Sequence, residues 1–166
     1  MKRFFISMFA AICIALAMPV GAQVSITKVD KIAPTDMVYM DMAVEAAKTN
    51  VKQGGTPFGA VIILNGAFRS SGRANAEGTA EANAYAKSRL TSLKNAKVYT
   101  VNEPTTASYI LLSRLGVDEI YFVNSRDAVI KAGYASAEDY TDAFPEGVTP
   151  APLKSLEFPD ATNLLK

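Results

Sequence analysis

Apolar positions along this chain change period several times, and each change marks an element. Met37, Met40, Val44, Ala47 and Val51 recur at helical spacing, so 36–52 is predicted as an amphipathic helix. Thr35 or Asp36 would cap it, and Gly54-Gly55 would end it. Residues 58–64 (FGAVIIL) are continuously apolar, the mark of a strand buried on both faces. Asn65-Gly66 is a hairpin turn signal, so a second strand is expected near 67–72. An alanine-rich helix follows at 79–90, then a strand at 97–101 (KVYTV) and a helix at 104–115 stopped by Gly116. The run EIYFV at 119–123 is another strand, with short helices expected at 125–132 and 135–143. The tail from Phe144 is Pro-rich and loosely patterned, and 23–34 is a lead-in.

The strand–helix–strand stretch from 97 to 123 has short links and should form a right-handed parallel crossover. Added to an antiparallel hairpin, it makes the expected fold an α/β protein: a three-layer α/β/α sandwich with a mixed sheet.

The first residues follow a different logic. Lys2 and Arg3 precede an apolar run over 4–17, and Val20-Gly21-Ala22 supplies the small residues that a signal peptidase reads. The run is shorter than the about 20 residues that span a bilayer. Residues 1–22 are therefore expected to be a signal peptide cleaved after Ala22, leaving 23–166 as one domain, periplasmic or secreted and off the membrane once cleaved.

Cleavage changes the chemistry available. The only cysteine, Cys13, leaves with the signal, and the chain has no histidine. The whole chain has 17 Lys and Arg against 16 Asp and Glu. Without Lys2 and Arg3 the balance is 15 against 16, a net charge of −1. A near-neutral chain without basic runs has no electrostatic footprint for nucleic acid. Without histidine there is no Ser-His-Asp triad, and neither a G-x-G-x-x-G motif nor a P-loop is present.

Three stretches carry a resemblance: Thr56-Pro57-Phe58-Gly59-Ala60-Val61-Ile62 after the first helix, Thr79-Ala80-Glu81 opening the second, and Glu103-Pro104-Thr105-Thr106-Ala107-Ser108 at a strand-to-helix junction. From about Asp36 to Tyr134 the chain resembles the cytidine deaminase-like superfamily, most closely the branch of guanine, cytosine and tRNA-adenosine deaminases. Working members carry H-x-E followed by P-C-x-x-C, in which His and both Cys hold Zn²⁺ and the Glu shuttles protons. Matched onto this chain, the His position is Thr79 and the Cys positions are Thr105 and Ser108, while Glu81 and Pro104 are retained.

That pattern implies a degenerate member. Neutral hydroxyls are poor zinc ligands. Zinc lowers the pKa of bound water from about 15.7 to about 7, on the order of 12 kcal/mol of nucleophile activation. A general base alone contributes only about 10²–10⁴-fold. The expectation is an exported, catalytically inactive deaminase-like domain, without metal or cofactor, that binds a small polar ligand or a protein partner. Its candidate ligand-binding residues are Asn75, Thr79, Glu81, Glu103, Thr105 and Ser108, with Glu81 a vestigial catalytic group. Each also has a plainer reading: Thr79 as a helix cap, Thr105 and Ser108 as partners of exposed N–H groups, Glu81 as an acid favoured by a helix N-terminus. Asn102 borders the same cavity by position, whereas Glu138 and Asp139 read as a solvated helix face. The resemblance leaves a homodimer open, and it leaves open a diverged deaminase or other hydrolase that recruits an atypical metal through carboxylates such as Glu81 and Glu103, or uses none.

Overall fold

The computed structural model describes residues 24–140 and 144–166. The signal-peptide segment, and the end of the helix expected at 135–143, lie outside the described residues. In chain order the elements are β1 (Ile26–Lys28), α1 (Pro34–Lys52), β2 (Gly59–Leu64), β3 (Ala67–Arg73), α2 (Ala80–Ser88), β4 (Ala96–Thr100), α3 (Thr106–Arg114), β5 (Glu119–Phe122), α4 (Arg126–Lys131), a 3-10 turn at Ala137–Asp139, β6 (Leu153–Ser155) and α5 (Pro159–Asn163).

The strands form one six-stranded mixed sheet in the order β1-β6-β5-β4-β2-β3. The β2–β3 hairpin and the β2–β4 pair are antiparallel, and β4–β5, β5–β6 and β1–β6 are parallel. Strand alternation explains the continuous apolar run of β2. Val61 and Ile63 face Met40, Val44 and Ala47 of α1, whereas Ala60 and Ile62 join Ala84 of α2 and Leu112 of α3 in a second core. Both faces of the sheet are therefore covered, which makes the three layers.

Two glycines set how close the helices come. A Cβ on Gly59 would lie 2.4 Å from the Ala43 carbonyl oxygen of α1, and one on Gly72 would lie 2.1 Å from the Ala80 carbonyl oxygen of α2. The close approach fixes the first turn of α2 over β3, and Ser70 Oγ donates to the Ala84 carbonyl at 2.7 Å to hold it there.

Three expectations change. Helix α1 starts at Pro34 with Ala33 at its N-cap and no side-chain cap, because the fixed φ of proline suits the first helical position. Asp36 accepts from Tyr99 Oη at 2.5 Å instead of capping. The lead-in and the tail each contribute a strand, β1 and β6. Of the helix expected at 135–143, the described part is the single 3-10 turn, closed by a Ser136–Asp139 capping box.

Candidate functional site

The site forms where α2 and α3 both begin. Thr79 is the N-cap of α2, its hydroxyl accepting from the Ala82 amide at 3.2 Å, and Thr105 is the N-cap of α3, accepting from the Ser108 amide at 3.4 Å. These caps satisfy amides that a helix start leaves without partners. Glu81 lies in the first turn of α2, where the helix dipole favours a negative charge.

The side chains of these residues interlock. Ser108 Oγ donates to Glu81 Oε2 at 3.1 Å, and Thr100 Oγ1 at the end of β4 donates to Glu81 Oε1 at 2.6 Å. Thr79 Oγ1 and Ser108 Oγ are 2.8 Å apart. The single hydroxyl hydrogen of Ser108 goes to Glu81, so Thr79 is the donor in that pair. A directed chain results: Thr79 to Ser108 to Glu81, with Thr100 arriving from the other side. Glu81 is 3 % exposed and Ser108 2 % exposed. Among the described residues, no buried side-chain nitrogen or oxygen lacks a hydrogen-bond partner.

Glu103 is equally buried but serves a different neighbour. Its Oε1 accepts from Arg126 Nε at 2.7 Å and its Oε2 from the Arg126 amide at 2.9 Å, anchoring the start of α4. Asn102 is turned away from the site. Its Nδ2 donates to the Pro57 carbonyl at 2.9 Å and its Oδ1 accepts from Asn124 at 2.9 Å, bracing the loop before β2. Asn75 shapes its own loop: its Oδ1 accepts from the amides of Glu77 and Gly78 and from Asn83 Nδ2.

Above this floor a pocket of about 370 Å³ opens to solvent. Asn75, Thr79, Glu81, Glu103 and Thr105 all line it, whereas Ser108 lies beneath, behind Glu81. The sequence reading missed several wall residues. Phe58 and Tyr134 supply aromatic surface, and Glu77 and Asp139 add carboxylates. Asp139, read from sequence as part of a solvated helix face, turns its carboxylate to the Ser136 amide at 2.8 Å at the pocket rim. Thr100, the closest donor to Glu81, carried no signal beyond its place at a strand end.

The surroundings are electronegative. Burial pushes the Tyr140 phenol far above its usual range, and the nearby charges of Glu103, Glu81 and Asp139 push it further, against the opposing effect of Arg126. The donor set does not suit zinc. The oxygens of Thr79 and Ser108 are neutral and already engaged with each other and with Glu81. Among the described residues, no group of three or more His, Cys, Asp or Glu side chains could hold a metal ion.

No protein-family model and no curated protein matches this chain. Solved structures do. It is similar to a guanine deaminase from Nitrosomonas europaea, with a TM-score of 0.59 at 18 % identity over 81 % of this chain and 84 % of that one. It is also similar to a guanine deaminase from Bacillus subtilis, with a TM-score of 0.58 at 22 % identity over 68 % and 85 % of the two chains. A chain from a study of tRNA:A34 deaminases that edit A to I at the wobble position gives a TM-score of 0.59 at 18 % identity, over 72 % of this chain and 97 % of that one. What these likenesses share with this chain is the fold.

Proposed function

We propose that this chain, which has the cytidine deaminase-like fold, uses it to hold a small polar ligand in the pocket over α2 and α3, without zinc hydrolysis. The observation that carries this reading is the hydroxyl chain from Thr79 through Ser108 to Glu81. Where the resemblance expects a histidine and a cysteine on a metal, two hydroxyls hold each other and a carboxylate. Without a metal-activated water, Glu81 has no nucleophile of sufficient strength to work on. The pocket above remains open and lined by mixed polar and aromatic groups, as small-molecule sites are.

The competing reading, a hydrolase recruiting a metal through Glu81 and Glu103, is disfavoured by Glu103 itself, whose charge is already paired with the Arg126 guanidinium and whose oxygens both hold the start of α4. The test is metal content and turnover of mature protein purified without chelators. Zinc well below one equivalent, with no deamination of cytosine, cytidine, guanine or adenosine above background, is expected. Stoichiometric zinc with turnover would sink the proposal. We also propose export, on the strength of the first 22 residues. Intact mass of exported protein should then place its first residue at Gln23.

A further inference from the structure

The pocket has a definite electrical character. Glu77, Glu81, Glu103 and Asp139 line it, and among the described residues no lysine or arginine does. Arg126, bonded to Glu103, is not part of the wall. Glu81 is the most telling of the four. It is almost fully buried, yet its hydrogen-bond donors are the neutral hydroxyls of Thr100 and Ser108, and among the described residues no cationic side chain pairs with it. A carboxylate taken out of water is costly unless it is paired, and the helix dipole offsets only part of that cost. A carboxylate also has about four lone-pair sites, and the two hydroxyls occupy two. Glu81 can therefore accept further N–H donors from the pocket side.

Two further features select among cations. The aromatic faces of Phe58 and Tyr134, the latter 40 % exposed, offer apolar and cation–π surface. No cluster among the described residues is arranged to cage a metal ion. We infer that the pocket takes a small organic cation, an amidinium, guanidinium or ammonium group on a flat or apolar body, with the N–H donors directed at Glu81 and the body against Phe58 and Tyr134. This rests on the small-ligand reading above and narrows it to one chemical class.

The experiment uses isotope-labelled mature protein and three isosteres that differ in charge: benzamidine, benzamide and benzoate. Benzamidine should shift the amides of Gly78, Thr79 and Thr105 in a saturable way. Benzamide, which keeps the shape and loses the charge, should bind about tenfold more weakly, the worth of a hydrogen bond to a charged group. Benzoate should leave these amides unmoved. Glu81→Gln should weaken benzamidine by about tenfold and leave benzamide unchanged. Should that variant fail to fold, Glu77→Gln, at an exposed position, should weaken benzamidine by about threefold and more so at low salt. If benzamide or benzoate shifts the pocket as strongly as benzamidine, the cation is the wrong class and the small-ligand reading stands. If none of the three does, both fall. Shifts confined to acids elsewhere, such as Asp41 and Glu45, would overturn the cation proposal as well.

Discussion

Ser108 Oγ reaches Glu81 Oε2 across 3.1 Å, so the first turn of α3 is fastened to the first turn of α2 through one buried hydroxyl. Thr79, the N-cap of α2, bonds the same hydroxyl, and Ala80 and Tyr109 share the apolar core beneath. Ser108→Ala removes one donor from Glu81 and the partner of Thr79. Leaving a buried acceptor with one fewer donor costs roughly 1–3 kcal/mol. Urea denaturation should show a fall in the midpoint with an unchanged slope. An unchanged midpoint would mean the hydroxyl chain does not hold the site together.

The chain also predicts how the site responds when zinc ligands are supplied. Thr79→His, Thr105→Cys and Ser108→Cys together place one imidazole and two thiols at two helix starts whose side chains already meet. Helix N-termini favour thiolates. The triple variant should bind about one zinc by elemental analysis, in the manner of three-ligand sites. A folded variant that binds none would mean that these positions do not converge as the geometry requires.

Gly72 carries a larger penalty than any residue at the site. A methyl group there would meet the Ala80 carbonyl oxygen at 2.1 Å and the Ala84 nitrogen at 2.3 Å, both helix backbone. Backbone cannot swing aside as a side chain can. Gly72→Ala should push α2 off β3 and destabilise the fold by about 3 kcal/mol or more, at the upper end of overpacking costs. Because α2 carries Thr79 and Glu81, the amides around the pocket should also shift. A variant with parental thermal stability would contradict this packing.

On the opposite side of the sheet, Glu119 sets a pH limit. Burial alone would raise its pKa. Hydrogen bonds from Lys154, Tyr121 and Lys97 prevail and hold it down at about 2. The folded pKa lies below the ordinary value of 4.5, so the stabilisation is present above that value and is lost as pH falls toward about 2. At about 1.4 kcal/mol per pKa unit the group contributes on the order of 3 kcal/mol at neutral pH. Glu119→Gln should lower stability at pH 7 and flatten its decline between about pH 4.5 and 2. Parallel pH profiles for the two proteins would refute the assignment.

The features that were legible in sequence share a physical cause. β2 was readable because both its faces are buried, and β3 because Asn65-Gly66 fixes the turn before it. The two caps, Thr79 and Thr105, sit where short hydroxyls satisfy helix amides, so local sequence was enough to suggest them. β1 and β6 escaped because each is three residues long and takes its identity from a partner at the far end of the chain. The start of α1 was misplaced because proline's backbone restriction outranked the capping preference of Thr35 and Asp36. The pocket walls at Phe58, Tyr134 and Asp139 were not legible, since only the fold brings those distant residues to one rim. Glu103 looked like a site residue by position, and nothing in the sequence announced that Arg126 would claim both its oxygens.

Ile26 pairs with Leu153 and Lys28 with Ser155, so β1 and β6 meet although most of the described sequence lies between them. Since β6 is the neighbour of both β1 and β5, β1 can join the sheet only once β6 is in place. Contacts this distant in sequence carry a large loop-closure cost and slow the completion of folding. By this topology β1 is expected to close like a latch, joining the sheet after the other described strands.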